Sequence, residues 1–380
     1  MVLRMGTRPK RVTTVSGRLV NDIRGVAALA VDGVLGITSI VERVHATIAA
    51  SPSPLGEPHP EPARGISGWV YGGVRGVTRA VGWTLERALA PFAGDADAKS
   101  VQREHVIAAL NGVLGDRLAA SNNPLAIAMT VRCDEPGEVL RPRIALFLHG
   151  LCMHDGHWPR GEGSADAAVR ALGYTPIYLH YNTGLAVEEN GRALSQQLDA
   201  LLVQWPEQSA ELAMVCHSMG GLVGRSASEH ARLTGARWLP ALRHLIFLGT
   251  PHHGSALERA GKRADYLLGI SPYTAPFVAL GGVRSAGIQG LSDGRVTRNG
   301  EPAALPNGVR CHAVAGKRGR GGDGLVSVAS ALGRRGLELG EDDTLIIEGA
   351  GHIELMRHPA GVAAIETWLQ QTPLSSPDRV

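Results

Sequence analysis

The stretch LAMVCHSMGGLVGR at residues 212–225 carries a strand-like apolar run straight into Ser218, two glycines and a helix-like segment. A serine hydroxyl is a poor nucleophile at neutral pH. It becomes useful where the chain turns sharply enough to hold Oγ clear of the backbone and a base can take its proton. Gly220 and Gly221 give the small neighbours that such a turn needs on its helix side. On the strand side Cys216 stands where the G-x-S-x-G pattern has its first glycine, a departure that a small side chain tolerates. The bland alternative, Ser218 as a helix cap, leaves the strand, the elbow and the residues downstream without a purpose.

HSMGG, preceded by FLHGL at 147–151 and followed by GTPHHGS at 249–255, resembles the bacterial lipase and esterase branch of the α/β hydrolases. It is also similar to lipases related to the inositol deacylases that remodel glycosylphosphatidylinositol anchors. The resemblance spans residues 140–370 and leaves the N-terminal helices out. It implies the α/β-hydrolase fold, a mostly parallel sheet with helices on both faces, and a chain order of serine, acid, histidine. That order selects His352, in EGAGHIEL, from the 15 histidines. His217 adjoins the serine with its side chain expected to point away, and His252 and His253 fall before the acid. Asp323, in GGDGLVSVASA after an apolar run, is the expected acid; Asp293, in LSDG, is the rival. The resemblance further implies an oxyanion hole from the backbone N–H groups of Met219 and Leu151, with Cys152 the nearest competitor to Leu151 and His149 shaping the loop.

The elements that must hold these residues are legible as alternating periods. IALFLH at 144–149, TPIYLHY at 175–181, LAMVCH at 212–217, HLIFLGT at 244–250, VRCHAVAG at 309–316 and TLIIEG at 344–349 read as buried strands, with helical patterns at 187–203 and 222–233 between them. Near-continuous apolar strands alternating with helices predict a parallel sheet covered on both faces. Residues 254–307, with Leu267, Leu268, Ile270, Tyr273, Phe277, Val278 and Leu280, read as a cap-like insertion over an apolar pocket. Upstream, three-and-four apolar spacing predicts helices over 26–48, 66–92 and 106–118, the first two separated by the proline-rich linker 51–62. The chain therefore divides into an N-terminal helical region, 1–120, and a catalytic domain, 121–380.

Composition narrows the function classes. With 44% hydrophobic and 19% charged residues there is ample material for a core, and a net charge of +3 gives no support for nucleic-acid binding. The positive excess lies within residues 1–120, which together with their amphipathic pattern allows peripheral membrane contact there. Asp32 interrupts the first apolar run and Arg75 and Arg79 the second, Pro272 and Pro276 mark the uncharged span 266–283 as a loop or lid, and no apolar region follows the basic N-terminus as a secretory signal would have it. A cytoplasmic, possible membrane-surface location is the expectation. Four separated cysteines form no ligand or disulfide pattern, and the chemistry asks for no cofactor and no metal. The resulting reading is a serine hydrolase of carboxylic, lipid-like esters acting through an acyl-Ser218 intermediate. An acyltransferase or amidase with the same triad, or a catalytically silent membrane-associated module, are the alternatives; oligomeric state is not legible.

Overall fold

A computed structural model describes residues 22–35, 72–79, 83, 101–133, 140–205, 211–254, 285–300, 303–319, 321–334, 336, 337 and 339–371. Contacts divide the chain into two units. One comprises residues 1–9, 100–117 and 127–380, the other 10–99 and 118–126.

The larger unit is built on a seven-stranded sheet. Its strands are β1 (Thr130–Arg132), β2 (Arg143–Leu148), β3 (Tyr174–His180), β4 (Glu211–His217), β5 (Leu242–Leu248), β6 (Arg310–Lys317) and β7 (Thr344–Glu348), in spatial order β1-β3-β2-β4-β5-β6-β7. All neighbours run parallel except β1, which pairs antiparallel with β3 through Thr130 and His180. This is the mostly parallel sheet of the α/β-hydrolase fold, and all six strands read from the sequence are in it. β1 escaped that reading because three residues are too few to show a period.

Alternation along the central strands builds two separate cores. Leu146, Met214, Cys216 and Phe247 face one side, while Ala145, Phe147, Val215, Ile246 and Leu248 face the other. Every one of these side chains is essentially inaccessible, which is why the strands read as continuous apolar runs rather than as alternating ones.

In the N-terminal unit, helices α1 (residues 22–35) and α2 (residues 72–79) are described. Asn123 Nδ2 donates to the Gly25 carbonyl at 3.0 Å, fixing the 118–126 segment to α1. Ile23, Val26 and Val34 on α1, with Val74 and Val77 on α2, keep apolar surface exposed. No helix among the described residues is long and apolar enough to cross a membrane.

Helix α3 (Val101–Ala120) departs from the sequence division at 120. Residues 100–117 group with the sheet, because this helix buries Leu110, Val113 and Leu114 and sets its glycines close against the loops after β2 and β3. A Cβ on Gly112 would lie 2.2 Å from Cys152 Sγ, and one on Gly115 would lie 1.9 Å from Asn182 Oδ1. Asn182 Nδ2 donates to the Gly115 carbonyl at 2.9 Å, and Asn111 Oδ1 accepts from Ile127 N–H at 2.9 Å. Six further helices belong to the larger unit among the described residues: α4 (Ala165–Ala171), α5 (Val187–Gln204), α6 (Met219–Thr234), α7 (Ala286–Asp293), the short α8 (Val328–Ala331) and α9 (Pro359–Leu369). On α5 the buried positions Val187, Asn190, Leu194, Leu198 and Leu201 recur at three and four, the stripe that faces α6 and the sheet.

Candidate active site

Ser218 occupies the junction of β4 and α6 with φ 53° and ψ −122°, a left-handed backbone that a non-glycine residue adopts only under constraint. The constraint is visible in its neighbours. Ser218 N–H donates to the Leu248 carbonyl at 2.9 Å. A Cβ on Gly220 would lie 2.6 Å from the Leu148 carbonyl oxygen, and one on Gly221 2.0 Å from Thr250 Oγ1, so α6 presses its first turn onto the ends of the strands. The cysteine at the usual glycine position is accommodated from across the packing: a Cβ on Gly224 would sit 3.2 Å from Cys216 Sγ, and its absence makes the room. Burial pushes the Cys216 thiol well above its ordinary pKa, which keeps it protonated.

Asp323 and His352 meet on the loops after β6 and β7. Asp323 Oδ2 accepts from His352 Nδ1 at 2.7 Å, and the His352 N–H donates to the Asp323 carbonyl at 3.1 Å. The other carboxylate oxygen accepts from Leu325 N–H at 2.9 Å and Val326 N–H at 2.8 Å. Burial raises the Asp323 pKa, but the facing His352 and these hydrogen bonds outweigh it and hold the carboxyl below its usual range. Gly249, just beyond β5, backs the pair: a Cβ there would fall 3.1 Å from both Asp323 Oδ2 and His352 Nδ1. Asp293, the rival acid, pairs instead with Arg295 at 2.7 Å with half its side chain exposed.

The loop after β2 closes on the serine from the other side. A Cβ on Gly150 would lie 3.1 Å from Ser218 Cβ and 3.1 Å from His217 Nδ1. Cys152 has φ 58° and commits its N–H to Thr183 Oγ1 at 3.1 Å, which sets it apart from Leu151 as an oxyanion donor. Met219 opens α6 directly after Ser218. His149 stacks on Tyr181 with centroids 4.4 Å apart, its Nδ1 lies 3.0 Å from the Gly150 carbonyl, and Tyr181 OH donates to the His149 carbonyl at 2.7 Å. Burial lowers its pKa to about 3, so His149 is a neutral strut that shapes the loop.

Of the remaining histidines near the motifs, His217 points away from Ser218 to place Nε2 3.1 Å from the His352 carbonyl. Burial lowers its pKa to about 3. His252 is buried against Arg225, 3.3 Å from its guanidinium. The apolar residues expected to line a cap, Leu267, Leu268, Ile270, Tyr273, Phe277, Val278 and Leu280, lie outside the described residues. A constellation that the sequence reading passed over lies beyond the Leu151 loop, where His105, His154 and His157 bring ring nitrogens together. The H-x-x-H spacing of 154 and 157 was the available signal; His105, on α3, could not be joined to it without the fold.

Residues 122–284 match a family described as a domain of unknown function (DUF7379). No curated protein matches the sequence. Among solved structures, the chain is similar to the mature lipase BlEst2 of Bacillus licheniformis, at 20% identity and TM-score 0.44 over 64% of this chain and 96% of that one. It is similar to a monoacylglycerol lipase of Paleococcus ferrophilus, at 14% identity and TM-score 0.42 over 64% and 97%. It is also similar to phospholipase PlaB of Legionella pneumophila, at 19% identity and TM-score 0.43 over 60% and 58%. The fold assignment rests on the strand order and register given above.

Proposed function

We propose that the chain is a serine hydrolase of carboxylic esters, with Ser218 the nucleophile, His352 its base and Asp323 the group that orients the base. The observation that carries this reading is the buried Asp323–His352 pair at 2.7 Å, on the same sheet end as the left-handed Ser218 elbow. With Asp323 holding the proton on Nδ1, His352 Nε2 has its lone pair available to accept a proton. Ser218 Oγ would bond to the ester carbonyl carbon as its proton passes to Nε2. The backbone N–H groups of Met219 and Leu151 would receive the negative oxygen of the tetrahedral intermediate. Collapse expels the alcohol with the proton from Nε2 and leaves acyl-Ser218; a water activated by the same nitrogen then releases the acid and restores the serine. No metal or organic cofactor enters these steps.

A lipid-like ester is the favoured substrate class, on the likeness of HSMGG and GTPHHGS to lipase motifs. A fluorophosphonate probe tests the nucleophile directly. Folded wild-type protein is expected to take one label, located at Ser218 by peptide mass spectrometry, and Ser218→Ala to take none. Labelling elsewhere, or none at all on folded protein, overturns the assignment.

A further inference from the structure

Three imidazoles converge behind the oxyanion loop. His105 comes from α3, while His154 caps and His157 ends the single helical turn Asp155–His157. His105 Nδ1 lies 3.1 Å from His157 Nε2 and 3.3 Å from His154 Nε2, and the ring centroids are 4.3 to 4.8 Å apart. Two ring nitrogens bound to one ion at about 2.0–2.1 Å with tetrahedral angles are separated by about 3.3 Å. The two contacts made by His105 Nδ1 have that separation. A hydrogen-bonded trio explains them less well, because a single nitrogen carries either one proton or one lone pair and here faces two partners.

An ion here asks each of these rings for a proton on its outer nitrogen, and the surroundings hold acceptors for it. His157 Nδ1 takes the His154 N–H at 3.1 Å and lies 3.2 Å from the His154 carbonyl, so an ion on Nε2 moves the proton to Nδ1, where that carbonyl accepts it. His154 Nδ1 takes the Gly156 N–H at 3.1 Å. With an ion on its Nε2 the proton moves to Nδ1, where Glu104 Oε2 at 3.7 Å and Asp155 Oδ1 at 3.9 Å stand to receive it, the carboxylate behind a ligating histidine that orients many metal sites. A neighbouring group, Glu104, Asp155 and His180, is already served by a cation of the chain itself: Arg132 reaches Asp155 at 2.9 Å and Glu104 at 3.6 Å. We propose that His105, His154 and His157 bind one divalent transition-metal ion of the zinc class, and that the ion fastens α3 to the segment carrying Leu151. Imidazole ligands suit zinc, cobalt, nickel and copper rather than calcium or magnesium. The site is structural and stands independently of the ester-hydrolase reading.

The test uses the full chain without an affinity tag, stripped with a chelator and then titrated with cobalt(II) and, separately, zinc. The expected result is one ion per chain after gel filtration, visible cobalt bands of a low-coordinate nitrogen site, and a higher thermal midpoint with zinc. His105→Gln and His157→Gln should each weaken binding by more than the roughly 10–100-fold that loss of an outer partner costs, and Glu104→Gln by less. The wild-type titration decides even where a variant misfolds. Failure of the stripped wild-type chain to take up a stoichiometric ion, or unchanged affinity in a folded His105→Gln or His157→Gln, overturns the site.

Discussion

Replacing Asp323 by Asn exchanges one oxygen for an amide nitrogen and so isolates the direction of a single hydrogen bond. The Asn Oδ1 can keep both bonds that Asp323 Oδ1 takes from Leu325 and Val326, at 2.9 and 2.8 Å. Its NH₂ then faces His352 Nδ1 across the 2.7 Å where the carboxylate stood. Flipping the amide restores an acceptor there but sets the NH₂ against two backbone N–H donors, so the first orientation wins. A donor facing Nδ1 is satisfied only if the imidazole proton moves to Nε2, the atom that must be bare to take the Ser218 proton. In other Ser-His-Asp enzymes this change lowers kcat by about 10⁴, which is ~5.5 kcal/mol of transition-state stabilisation at about 1.4 kcal/mol per decade. The assay is steady-state hydrolysis of a p-nitrophenyl ester, with circular dichroism to verify the fold. Asp293→Asn, whose wild-type carboxylate meets only the exposed Arg295 among the contacts described, serves as the comparison. Folded Asp323→Asn with kcat within about tenfold of wild type, far short of the expected loss, or a larger loss in Asp293→Asn, would refute the acid assignment and the tautomer argument with it.

Acid should destabilise the fold well before carboxylates titrate. His149 and His217 have folded pKa values lowered by burial to about 3, against about 6.5 unfolded; between those values the unfolded chain binds more protons, so stability falls as pH falls. At pH 5 each histidine contributes a loss of about 2 kcal/mol at ~1.4 kcal/mol per unit. Asp323, with its pKa depressed, keeps its contribution until pH drops further still. Equal urea midpoints at pH 7.5 and pH 5 would contradict this. Gly115→Ala should destabilise by about 2–4 kcal/mol, since its Cβ falls 1.9 Å from Asn182 Oδ1 and displaces a side chain bonded to both Gly115 and Gly184. Gly33→Ala, with nothing within 4 Å of the new Cβ, should be neutral or stabilising by up to ~1 kcal/mol; calorimetry that ranks the two substitutions the other way would remove the close docking of α3.

What the sequence disclosed depended on whether the signal was local. β2 to β6 announce themselves because a parallel strand buried on both faces is an unbroken apolar run, and the border strand β7 does so by its apolar residues although only Ile347 is buried. Ser218 does so because an elbow needs small neighbours at fixed offsets. The allegiance of α3 was not legible, since three-and-four periodicity says that a face is covered and not by what. Here part of the covering surface is Cys152 and the Asn182 side chain, seated against Gly112 and Gly115. Cys152 and Leu151 could not be separated by type or spacing; the Thr183 hydroxyl that engages Cys152 N–H is 31 residues away in sequence. The His105 trio was hidden for the same reason, with 49 residues between His105 and its nearer partner.

β7 closes the sheet on one side and has a single pairing partner, β6. Only Ile347 of its five residues is buried. The elbow of Ser218 rests on the ends of β2, β4 and β5, while His352 follows β7, the last strand in chain order among the described residues. On the proposed triad, fraying of that same border strand would withdraw the imidazole at the loss of Ile347 alone from the core beneath it. Loss of turnover would then run ahead of any spectroscopic sign of unfolding, making catalysis the most sensitive gauge of whether the border of the sheet is in place.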